Sequence, residues 1–217
     1  MGEGLVENNV ALLTNKSAEK SRDRVLTEAE IKTLWRVLPE GDFGDILRLL
    51  LLTGQREREI SELQWQEIDF ERGVIDLPPR RTKNGRPHII PMSPIVRAIL
   101  EARPRQEERE LVFGTGKGGF SGWSRAKARL DAEAKIDPWR IHDLRRVTAT
   151  MMAKIDIAPH VIEAVLNHVS GTRGGVSGIY NRNTYETEKA TALLRWAEHL
   201  TSIIEGRASK VTPLMRA

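Results

Sequence analysis

Four segments of the 217-residue chain concentrate groups suited to an anionic substrate: Thr53-Gly54-Gln55-Arg56-Glu57-Arg58-Glu59, a turn carrying Lys83, His142-Asp143-Leu144-Arg145-Arg146, and Leu166-Asn167-His168 followed by Gly178-Ile179-Tyr180-Asn181-Arg182. His142 and Arg145 are three apart, so on a helix they share a face and can both touch one phosphate, the guanidinium offering a fork of donors matched to its oxygens. Taken singly each segment is a weak signal, and an isolated H-x-x-R is better read as an ordinary charged helix face.

The elements that must position these groups can be traced by periodicity. Residues 1–24 are polar and aperiodic and read as a linker or disordered lead-in. Thr27 and Glu30 form a T-x-x-E capping box ahead of Ile31, Leu34, Trp35 and Leu38 at helical spacing, stopped by Pro39-Glu40-Gly41. Ile46 to Leu52 is apolar almost all round, as a buried helix would be, and ends at Thr53-Gly54. A short helical pattern from Glu57 gives way at Ile68-Asp69-Phe70 to a period near two. Residues 73–77 and 88–92 then read as strands flanking Asn84-Gly85, a hairpin-turn signal with Lys83 beside its tip. Helices are expected from Ser93-Pro94, from Trp123 to Ala134, from His142 to Met152, from Pro159 to Leu166, and at the C-terminus on the stripe Ala190, Leu193, Leu194, Ala197, Leu200, Ile203 and Ile204. The expected fold is mainly α with a small antiparallel sheet.

Composition excludes several classes. Without cysteine there is no disulfide framework and no thiolate zinc site, and the five histidines show no H-E-x-x-H pair. The glycine-rich stretch from Gly114 to Gly122 is not a phosphate loop, because Lys117 is followed by glycine, and it reads as a flexible connection. His88, His160 and His199 are expected to be structural or superficial, and the five tryptophans to be core, with Trp123 the one able to meet DNA. The net charge is only +4, from 34 Lys and Arg against 30 Asp and Glu, so any anionic partner must be read from local clusters, such as Arg80, Arg81, Lys83 and Arg86, or Arg125, Lys127 and Arg129.

Together and in this order, the four segments resemble the tyrosine recombinase family, over roughly Leu26 to Leu200, and among its members the integrases of temperate and satellite phages and of genomic islands. Those end in a Y-N-R stretch and a W-A-x-H-like helix, here Tyr180-Asn181-Arg182 and Trp196-Ala197-Glu198-His199. The resemblance implies a DNA breaking-rejoining catalytic-domain fold and site-specific recombination, the integration or excision of a mobile element such as a prophage, through a 3′-phosphotyrosyl intermediate. It implies that Arg56 and Arg145 clamp the scissile phosphate, that Lys83 protonates the departing 5′ oxygen, that His142 and His168 flank the phosphate, and that Tyr180 is the nucleophile. Tyr185 is the alternative nucleophile, because Asn167 stands where the family pattern has glycine (L-G-H) and the spacer after His168 is longer than usual. Glu59 fits a position that orients its neighbours. No cofactor or metal is implied, since the phosphotyrosyl bond stores the energy for religation.

The resemblance divides the chain into a lead-in (1–24), a catalytic domain (25–200) and a tail (201–217) able to dock on a neighbouring protomer through Leu200, Ile203, Ile204 and Val211, or to pack in its own domain. Residues 1–24 leave no room for the upstream DNA-binding domain of full-length members, so a catalytic fragment is expected over a minimal member. Expected partners are double-stranded DNA attachment sites, three further copies of the chain in a tetramer on DNA (the free chain being a monomer) and accessory DNA-bending proteins. No membrane is expected, and the location is cytoplasmic, at the nucleoid. Two rival readings are a type IB topoisomerase, which relaxation without recombination would favour, and a DNA-binding module with a silent site, which failure to form any covalent adduct would favour.

Overall fold

The structure, a computed structural model, describes residues 24–116, 118–168 and 185–207. Its first helix, α1 (Glu28–Val37), begins as the capping box requires: the Glu30 N–H donates to Thr27 Oγ1 at 3.3 Å and the Thr27 N–H donates back to Glu30 Oε2 at 2.9 Å. Helix α2 (Asp42–Thr53) starts four residues ahead of the apolar run that announces it, with Asp42 and Asp45 in its first turn, where the positive end of the helix favours carboxylates. Phe43, Ile46, Leu47 and the run from Leu49 to Thr53 are buried, which makes α2 the central rod of the core. It ends at Gly54, whose φ of 68° is left-handed. A Cβ there would lie 2.9 Å from Leu166 Cδ2 and 3.0 Å from Thr148 Cγ2, so both conformation and close approach demand glycine.

A five-residue α3 (Glu57–Ser61) leads into the sheet β1 (Ile68–Asp69), β2 (Val74–Leu77) and β3 (His88–Pro91), antiparallel in the order β1-β2-β3, with Ile68 opposite Ile75, Val74 opposite Pro91 and Leu77 opposite His88. The strands fall within a residue of their expected positions. The tight hairpin does not form. Pro78 and Pro79 cannot donate to the ladder, and the chain turns into a short 3-10 segment (Pro79–Arg81), so Asn84-Gly85 turns the tip of a wider loop over residues 78–87.

Helices α4 (Pro94–Glu101), α5 (Trp123–Ala134), α6 (Ile141–Lys154) and α7 (Pro159–Val165) follow, then α8 (Glu186–Glu205). The segment between α4 and α5 is tethered: the Arg109 guanidinium donates to the carbonyls of Leu111, Phe113, Gly116 and Gly118. Trp123 packs edge-on to Phe120, centroids 5.0 Å apart, and against Phe43, so its indole belongs to an aromatic cluster on the core. Helix α8 lies against α1, α2, α6, α7 and β3. It runs without a break through residues 201–205, and Leu200, Ser202 and Ile203 are buried in their own chain; Val211 lies outside the described residues.

One carbonyl ties three helices together. Leu51 O, near the end of α2, accepts from Thr148 Oγ1 of α6 and from Trp196 Nε1 of α8, both at 2.8 Å. Trp196 is fully buried, so Trp196→Ala removes a large side chain and one of these donors. It is expected to cost about 3–5 kcal/mol, read as a lower midpoint in urea with the slope unchanged.

Candidate active site

The site is built where two helices end. Helix α7 finishes in a Schellman turn: the His168 N–H donates to Glu163 O at 3.0 Å and the Asn167 N–H to Ala164 O at 3.3 Å, with Asn167 at φ 48°. Glycine usually fills that left-handed position, and asparagine is among the few other residues that tolerate it. The L-N-H sequence therefore makes the same turn that L-G-H would, and His168 leaves it exposed at the surface.

The Schellman turn satisfies two of the four carbonyls that a helix C-terminus leaves unpaired. The next three carbonyls along the chain are met by side chains from three other segments. Val165 O accepts from Gln55 Nε2 at 2.9 Å and from His88 Nε2 at 3.1 Å. Leu166 O accepts from Arg145 Nη2. Asn167 O accepts from Asn84 Nδ2 at 2.8 Å. Three of the four donors are site residues of the sequence or adjoin one: Gln55 precedes Arg56, Asn84 follows Lys83, and Arg145 is itself a candidate; the fourth, His88, comes from β3.

Arg145 also donates through Nη1 to Gly54 O at 2.6 Å, beyond the end of α2, so one guanidinium holds the C-termini of α2 and α7 together. Only 5% of the residue is exposed. Burial, then the charge of Arg56, pushes its pKa down to about 10, which still leaves it a cation at neutral pH. Its bonds to these two carbonyls are to neutral acceptors and leave its charge to act on whatever lies above. Arg56, at the start of α3, is half-buried beside it and is oriented by Glu59, whose carboxylate accepts the Arg56 backbone N–H and its Nη1, both at 2.9 Å. Glu59 is buried, which agrees with an orienting role.

His142, one turn before Arg145 on α6, is exposed. The start of that helix is fixed by Asp143, whose carboxylate accepts the Arg140 N–H at 2.8 Å. Desolvation at the surface of the domain, then the charges of Arg145 and Arg146, hold the His142 imidazole below its ordinary pKa; His168 is lowered in the same way, by desolvation and then Arg145, with Glu163 opposing. Both rings are therefore neutral near pH 7. Arg56, His142, Arg145 and His168 lie within electrostatic reach of one another, with Arg145 as the buried floor and the others around it.

Lys83 is exposed in the loop between β2 and β3 and joins the group through its neighbours. Asn84 bonds to Asn167 beside His168. Arg81 donates to Glu67 Oε1 at 2.8 Å and to the backbone carbonyls of Glu59 and Glu62, tying the other side of the loop to α3. Arg81 is thus a half-buried anchor and not a solvated member of its basic cluster. Tyr180 lies outside the described residues. Tyr185 begins α8 in a left-handed conformation (φ 50°), its ring against His160 with centroids 5.6 Å apart, at the end of α7 opposite His168. Among the described residues no group of three or more His, Asp or Glu side chains is arranged to hold a metal, and no helix is long and apolar enough to cross a membrane.

Gln55, Asn84, His88 and Asn167 were not legible as parts of the site. The one signal was their adjacency: three sit next to a candidate site residue, Gln55 to Arg56, Asn84 to Lys83 and Asn167 to His168. His88 faces only acceptors, Gln55 Oε1 at 3.2 Å and Val165 O, which assigns the proton to Nε2. Burial, then the charges of Lys189 and Arg145, lowers its pKa to about 3.

The sequence pattern of the phage integrase family matches residues 9–187. The chain is 34% identical over 140 residues to the shufflon-specific DNA recombinase of Escherichia coli, a match covering 64% of this chain and 35% of the recombinase, so it spans about a third of that relative's length. Its fold is similar to that of the integrase from mycobacterium phage Brujita (TM-score 0.66, 16% identity, 89% of this chain and 67% of that one). It is also similar to a lambda integrase fragment in a dimer bound to a core site (TM-score 0.57, 21% identity, 76% and 64%). The mainly helical architecture with a three-stranded antiparallel sheet is that of tyrosine recombinase catalytic domains.

His88 makes this platform sensitive to acid. Its folded pKa lies below the unfolded value near 6.5, so between the two the unfolded chain binds the extra proton. The stability this histidine supports is present above about pH 6.5 and falls toward pH 3 by up to about 1.4 kcal/mol per pH unit. In His88→Gln, with an amide in place of the ring nitrogen, the urea midpoint is expected to be lower at pH 7 and to change less between pH 6.5 and 4.5 than in the wild type.

Proposed function

This chain belongs to the phage integrase family, and from that premise we propose that it cuts and rejoins duplex DNA at specific sites through a covalent 3′-phosphotyrosyl bond. The observation that carries the proposal is the Arg145 guanidinium, buried and charged, held by neutral carbonyls, with a second guanidinium and two neutral imidazoles around it. That arrangement fits one phosphate diester. Arg56 and Arg145 bind its non-bridging oxygens and stabilise the charge that accumulates as phosphorus becomes pentavalent. The Tyr180 oxygen attacks phosphorus and gives up its proton, for which a neutral His142 or His168 is an available acceptor or relay; the P–O5′ bond breaks; Lys83 delivers a proton to the departing oxygen. Religation reverses these steps with a different 5′ hydroxyl and conserves the bond energy. The position of Tyr185 against His160, across α7 from His168, supports Tyr180 as the nucleophile.

The substrate is double-stranded DNA bearing the attachment sites of a mobile element, as the core-site complex of the lambda fragment suggests for a related fold. Exchange between two duplexes needs four active sites, hence a tetramer assembled on DNA, with DNA-bending proteins as further partners and the cytoplasmic nucleoid as the location. The test is a suicide duplex, selected from a randomised pool by covalent capture on the protein. The wild type and Tyr185→Phe are expected to form a denaturation-resistant adduct with it and Tyr180→Phe to form none. An adduct with Tyr180→Phe that disappears in Tyr185→Phe would move the nucleophile to Tyr185.

A further inference from the structure

Asn84 and Asn167 face each other across the rim of the site, and their contact is reciprocal. Asn84 Nδ2 donates to Asn167 O at 2.8 Å and to Asn167 Oδ1 at 3.1 Å; Asn167 Nδ2 donates to Asn84 Oδ1 at 3.3 Å. These are the described side-chain bonds linking the tip of the β2–β3 loop to α7, across 83 residues of sequence. The loop is also braced from within: Thr82 Oγ1 donates to Arg86 O at 2.7 Å, and the Arg86 N–H donates to Asn84 Oδ1 at 3.1 Å. Asn84 Oδ1 therefore receives both the internal brace and the external clasp. Lys83 sits between this clasp and the Arg81 anchor on α3.

From this geometry we propose that the Asn84–Asn167 pair is a positioning clasp that holds the Lys83 turn against the His168 rim, so that the lysine ammonium meets the departing 5′ oxygen. The proposal rests on the reading of Lys83 as proton donor. An exposed loop bearing an exposed lysine samples many positions, and proton transfer in the transition state requires one of them. Two amides supply the restraint without adding charge beside the phosphate. It also gives Asn167 a second task that glycine at the same left-handed position cannot perform, since glycine keeps the Schellman turn and the carbonyl but loses both side-chain bonds.

The test separates positioning from folding by changing the leaving group. Single-turnover cleavage is followed on the suicide duplex above and on the same duplex with sulfur in place of the bridging 5′ oxygen. A thiolate departs without a proton, so a defect in the acid disappears with sulfur and a defect in phosphate binding does not. Lys83→Ala is expected to cleave the oxygen ester about 100-fold or more slowly and the sulfur ester near the wild-type rate. Asn84→Ala is expected to lose about 10-fold to 100-fold on oxygen, with the loss abolished on sulfur, and Asn167→Gly to show a smaller loss of the same kind. Without DNA, trypsin should cut after Lys83 several-fold faster in Asn84→Ala than in the wild type, with cleavage elsewhere unchanged. If Lys83→Ala is not rescued by sulfur, the reading of Lys83 as acid fails. If Lys83→Ala is rescued and Asn84→Ala either cleaves the oxygen ester at the wild-type rate or is equally slow on both esters, the clasp is overturned.

Discussion

Arg145 donates to Gly54 O beyond α2 and to Leu166 O at the end of α7, and the rest of the site depends on that double attachment. Two helix C-termini, each with a partial negative charge and unpaired carbonyls, converge on one point in the interior. Apolar packing alone would leave those carbonyls without donors, at a cost of roughly 1–3 kcal/mol each. A guanidinium satisfies one at each helix and brings a full positive charge to the negative ends of both. The fold thus needs a buried cation there, and the chemistry needs one for the phosphate. Both needs are met by the same side chain.

The other donors extend the principle. Gln55 and His88 meet Val165 O, Asn84 meets Asn167 O, and Glu59 holds Arg56 by its backbone and its side chain. Neutral carbonyls hold Arg145, so its charge is not neutralised by the bonds that fix it, whereas Arg56 is fixed by the Glu59 carboxylate. His88 contributes to the platform only while neutral, which burial enforces down to low pH. The exposed residues around the floor, Lys83, His142 and His168, are short reaches from elements that are themselves tied to α7 or to α6.

Much of this was legible in the residues. The T-x-x-E box opened α1 where it was expected, Gly54 ended α2, and the strands on either side of Lys83 fell within a residue of their expected positions. The order Arg56, Lys83, His142, Arg145, His168 carried the family resemblance, and the departure to L-N-H has a local explanation in the left-handed turn. Some assignments went astray for a physical reason. Asn84-Gly85 signals a two-residue hairpin by its backbone preference, but Pro78 and Pro79 withhold the ladder bonds such a hairpin needs. Arg81 has the composition of a solvated charge and the contacts of an anchor.

By itself the sequence determined the helical and strand segments, the helix end at Gly54, and the set of cations and imidazoles able to act on a phosphate. These follow from backbone preference, capping chemistry and residue type, all of which act over a few residues. Only the tertiary structure decided that Gln55, Asn84, His88 and Arg145 converge on three consecutive carbonyls at and just beyond the end of α7, from positions as far as 110 residues away in the chain. A carbonyl is the same in every residue, and which one lacks a partner depends on where two helices stop in space; no spacing along the chain records it.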